Sequence, residues 1–111
     1  MKPFMFVINS IPAPDNRYFG RIRRGIVHIW VFSDSVENAM DAAFSYIRRQ
    51  HWTPVETEYA FEIPDTLIHD LHKDEAALYR QARKYGIAAD ILASPVEEGN
   101  PGDPTILAPP Y

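Results

Sequence analysis

The first residues with chemistry to offer are His28, Trp30 and a row of glutamates at Glu56, Glu58 and Glu62. Along Ile26–Phe32 one face is Val27, Ile29 and Val31, and the other is Ile26, His28, Trp30 and Phe32. Along Val55–Ile63 the apolar set Val55, Thr57, Tyr59, Phe61 and Ile63 alternates with Glu56, Glu58, Ala60 and Glu62. Alternation of this kind marks strands with one buried and one polar face. If the aliphatic faces lie beneath helices, His28 and Trp30 share an open sheet face with the glutamates. A carboxylate beside an imidazole fixes its tautomer and stabilises the imidazolium, so His28 with Glu56 or Glu58 could serve as an oriented general base. Trp30 could stack on a planar ligand. A mixed apolar and polar face on a small sheet more often serves as a dimer interface, and that reading ranks first.

A second cluster is basic. Arg17, Arg21, Arg23 and Arg24 surround Tyr18 and Phe19, with Gly20 and Gly25 among them. Guanidinium forks bind phosphate or carboxylate, and aromatic rings stack on bases, so the cluster could bind anions or single-stranded nucleic acid. The plainer reading is a solvated loop, or one that pairs with the acidic half of a partner subunit. No RNA-binding motif accompanies it.

A third cluster is His69-x-x-His72, with Asp65, Asp70 and Glu75 nearby. Histidines three apart on a helix share a side and could begin a metal shell. A helix break expected at 72–74 spoils that geometry, so an exposed polar stretch is the better explanation. Cysteine is absent, which removes disulfides, thiolate metal sites and a thiol nucleophile. No P-loop, dinucleotide-binding glycine pattern or G-x-S-x-G elbow occurs, and no serine has an activating motif. No cofactor and no metal are expected.

The elements that must position these groups are legible in part. Phe4–Ile11 reads as a strand, apolar on both faces apart from Asn9 and Ser10. Asp34 with Glu37 forms a candidate capping box, and Val36, Ala39, Met40, Ala43 and Ile47 follow at helical spacing up to Gln50 or His51. Residues 66–85 read as a short helical turn, then a helix from about 74 with Asp74 as a candidate cap, stopped at Gly86. Ile87–Ala93 is a last strand. From Pro95 onward five prolines and two glycines exclude a helix or a central strand, which leaves an extended or disordered tail over 95–111.

The element order is β-β-α-β-α-β. The segment 26–63 has the length of a parallel crossover, so the expected architecture is α+β: a four-stranded mixed sheet with both helices on one face, ferredoxin-like in shape. Such a shape hosts many unrelated activities and by itself names none. With 111 residues, 46% of them apolar, the chain is expected to form one domain over 1–94. Residues 1–53 hold seven basic and four acidic side chains, whereas 54–111 hold four basic and eleven acidic ones. That asymmetry fits two surfaces that attract each other, and the net charge of −4 argues against non-specific nucleic-acid binding. The apolar run Phe4–Ile8 is too short for a signal-peptide core or a membrane span. The expectation is a soluble cytoplasmic binding or regulatory module without catalysis, acting as a homodimer.

Overall fold

The structure, a computed structural model, describes residues 1–95 and, as backbone, residues 105–106. The strands are β1 (Lys2–Pro12), β2 (Ile22–Ser33), β3 (Trp52–Glu62), β4 (Ile87–Pro95) and β5 (Thr105–Ile106). The helices are α1 (Val36–Arg49), α2 (Asp65–Ile68) and α3 (Lys73–Tyr85). The class is α+β, as the element order implies. The sheet order is β3-β1-β2-β4-β5. Within the Pro-rich tail, Ile106 and Thr105 pair with Leu92 and Ala93 of β4. The rest of that tail lies outside the described residues.

The sheet is not mixed. Every adjacent pair is antiparallel. β2 and β3 do run in the same direction, as a crossover through α1 requires, but β1 is inserted between them and hydrogen-bonds to both. A hairpin strand that precedes the crossover is available to fill the gap, which converts a parallel neighbour pair into two antiparallel ones.

The helices do not share a face either. On α1, Ala39, Ala43 and Ile47 bury themselves against Phe4, Phe6, Ile8, Val27, Ile29 and Val31, with Trp52 closing one end. The two alanines let the helix approach the sheet closely. On α3, Leu78 and Ala82 pack on the opposite face against Trp30 and Ala88, with Met5, Phe32 and Tyr79 around them. Tyr79 sets its ring edge-on to Trp30 at 5.6 Å between centroids. The aliphatic face is already filled by α1, and the α3 stripe packs on the apolar surface around Trp30 on the other. Apolar side chains on both faces of β1 and β2 are what double coverage demands. The face that helices on one side alone would leave bare is thereby half closed.

Local signals place the helix ends. α1 starts one residue later than a cap at Asp34 implies. Ser35 holds an extended backbone, and its hydroxyl accepts from the Asn38 N–H at 3.1 Å. The break between α2 and α3 falls at 69–72, and Asp74 sits within the first turn of α3 rather than capping it. Gly86 ends α3 with φ of 90°, a left-handed conformation that only glycine adopts without strain. Gly25 answers a different need. A Cβ there would meet Ile91 Cγ2 and Trp52 Cζ3 at 2.9 Å, so the missing side chain is what admits the Trp52 indole.

Candidate functional site

β3 is an edge strand of the described sheet, and its side chains do not fall as simple alternation predicts. Val7 pairs with Tyr59, but the next residue, Ile8, pairs with Thr57, so Glu58 is bulged out. Asn9 then pairs with Glu56 and Ser10 with Pro54, so Val55 is bulged as well. Each extra residue shifts the phase of the pleat by one. Thr57 consequently faces α1, with its hydroxyl 3.9 Å from Met40 Sδ. Tyr59 and Phe61 sit across from Val7 and Met5 on the other face, beyond the part that α3 covers. The expected buried row Val55–Ile63 is therefore corrected. Val55, Tyr59 and Phe61 are 63%, 55% and 48% exposed. The two aromatic rings stack at 5.8 Å and 18°. Ile11, on the same face two pairs further along β1, is also exposed.

The constellation of His28 and Trp30 with Glu56 and Glu58 does not assemble. Trp30 is 1% exposed beneath α3 and cannot stack on a ligand from solvent. Glu56 lies across β1 from Ile26, about 10 Å away at the usual strand spacing. The in-register neighbours of His28 are Val7 and Asp90. His28 instead lines a cleft of ≈ 300 Å³ together with Asp74, Glu75, Leu78 and Asp90. Register across β2 and β4, plus the first turn of α3, brings these acids near the imidazole. Among the described residues the His28 imidazole makes no hydrogen bond or ion pair, so nothing orients it as a base. Asp74 and Asp90 could not be linked to His28 from the sequence, because only the strand order and the position of α3 join them.

The basic cluster is better organised than a solvated loop. Asn16, 4% exposed, donates from Nδ2 to the His51 carbonyl at 2.8 Å and accepts the Tyr18 N–H on Oδ1 at 2.8 Å. The Ala13 N–H also donates to the His51 carbonyl, at 3.0 Å. His51 takes a positive φ of 66° to present that carbonyl, and its ring nitrogen Nδ1 lies 2.9 Å from Asp15 Oδ2. On this frame the Arg17 and Arg21 guanidinium carbons stand 5.1 and 5.7 Å from the Tyr18 ring centroid. Arg23 and Arg24 belong to β2 and are exposed with them. His69 and His72 lie exposed between α2 and α3. Among the described residues no group of three metal-ligating side chains gathers anywhere.

Comparison with protein-family models, curated sequences and solved structures gave no match. No helix among the described residues is long and apolar enough to cross a membrane.

Proposed function

We propose that this chain is a non-catalytic binding module that works as a homodimer through the uncovered part of the sheet around β3. The carrying observation is the stacked pair Tyr59 and Phe61, standing exposed on a sheet face whose other half is sealed by a helix. Solvent contact leaves this aromatic surface costly, and aromatic side chains are the usual anchors of protein interfaces. The occupant is a second copy, because the chain carries opposite charge on its two halves and each half can answer the other. Contact through the face is preferred to edge pairing of β3 with itself. Glu56, Glu58 and Glu62 would bring like charges together in such a ladder. The absence of cysteine fits work in a reducing compartment.

Sedimentation velocity on the full chain over a wide concentration range tests this. A boundary that moves to the dimer coefficient as concentration rises is expected. A monomer coefficient at every concentration would refute self-association.

A further inference from the structure

The two patches that stand out on the surface are opposite in charge and alike in aromatic content. One is the Ala13–Arg21 connection, where Arg17 and Arg21 gather over Tyr18 and Phe19 is 56% exposed. The other is β3, where Glu56 and Glu58 are exposed beside Tyr59 and Phe61. Among the described residues neither Arg17 nor Arg21 meets a carboxylate, and neither Glu56 nor Glu58 meets a base. Within one chain the patches do not satisfy each other.

We infer that the Ala13–Arg21 loop of one copy docks on β3 of a second copy, with Arg17 and Arg21 opposite Glu56 and Glu58. This rests on the self-association proposed above and names the surface that faces β3 in it. Three observations converge on the loop. Its backbone is tied down through the buried Asn16 and the His51 carbonyl, so docking orders little new chain. Its guanidinium groups are held in place, Arg17 Nη2 by the Tyr18 hydroxyl at 3.3 Å and Arg21 Nη2 by the Arg17 carbonyl at 3.4 Å. Its charge is the complement of the β3 row. Guanidinium forks match carboxylates in geometry, and Phe19 offers apolar area to the Tyr59 and Phe61 rings. The bulge at Glu58 breaks the regular ladder, which suits the strand to receive a loop rather than another strand. Copies related by a two-fold axis make the contact twice, so a modest attraction at each patch counts double.

Charge reversal tests the pairing. Arg17→Glu with Arg21→Glu is one variant, and Glu56→Arg with Glu58→Arg is the other. All four positions are exposed, so both variants are expected to keep the wild-type circular dichroism. Each variant alone should dimerise at least about tenfold more weakly than the wild type. An equimolar mixture of the two should regain dimer, because each supplies the charge that its partner now needs. High salt should weaken the wild-type dimer as well. A wild-type dimer that tolerates both reversals overturns the loop-to-strand contact and leaves self-association standing. Two weakened variants whose mixture stays monomeric overturn it too, because the patches then do not face each other. A wild-type chain that never dimerises removes the underlying reading, and this inference with it.

Discussion

The two faces of the sheet are built from the same three central strands and end in different states. On one face Phe4, Phe6, Ile8, Val27, Ile29 and Val31 vanish under α1. On the other, Trp30 and Ala88 vanish under α3, while Tyr59 and Phe61 on β3 remain in water. Hydrophobicity does not explain the contrast, because Tyr59, Phe61 and Trp30 are all aromatic. Position does. α1 links β2 to β3 and lies over these two strands and β1 between them. α3 starts from the β3 side but settles on β2 and β4, where Trp30 and Ala88 receive its stripe. The bulge at Glu58 then puts Thr57 on the α1 face and leaves Tyr59 and Phe61 on the side that α3 does not cover. Whether an aromatic residue becomes core or surface depends here on a connection route and on the pleat phase.

The contrast can be broken most severely at Trp30. Trp30→Ala leaves a void beneath α3 and should cost about 3–5 kcal/mol, read from the shift in denaturant midpoint. Trp30→Glu, which would probe an interface if that face were open, should instead unfold the chain by placing a carboxylate in the second core. Asn16→Ala removes both side-chain ties of the basic loop, so the Tyr18 N–H loses its acceptor and the His51 carbonyl keeps only the Ala13 N–H. A loss of roughly 2 kcal/mol is expected, with faster amide exchange over residues 13–21. Gly25→Ala drives a methyl group into the Trp52 indole beneath α1 and should cost about 1–3 kcal/mol in the same denaturation assay. At the other extreme, Tyr59→Ser and Phe61→Ser should each cost the monomer only about 1 kcal/mol, because about half of each side chain is already exposed. Aromatic residues on one face would then differ several-fold in what they contribute to folding.

Much of the fold was legible locally. The Ile26–Phe32 run, the stripe from Val36 to Ile47 and the stop at Gly86 are short-range signals, and each marks an observed element, whereas the break expected at 72–74 falls at 69–72. What depends on distant pairing was not. Nothing in Thr53–Ile63 marks Glu58 or Val55 as bulged, because the insertion is defined by the β1 partner. The insertion of β1 between β2 and β3 is likewise a property of the assembled sheet. The face of the second helix had one usable clue. Phe4–Ile8 and Ile26–Phe32 are apolar on both sides, apart from His28, and strands of that kind are covered twice. The candidate site suffered the same division. The arginine cluster is local in sequence and survives as a built loop, whereas the pairing of His28 with Glu56 or Glu58 needed a register that the bulges and the strand order do not provide.

The most direct measurement is the solution mass of the full chain by light scattering. The wild type is compared with the Tyr59→Ser/Phe61→Ser variant at one concentration. If the uncovered aromatic pair holds two copies together, the wild type has twice the monomer mass and the variant has the monomer mass, with the same circular dichroism. Equal masses for the two proteins, whether monomer or dimer, would contradict an interface at Tyr59 and Phe61.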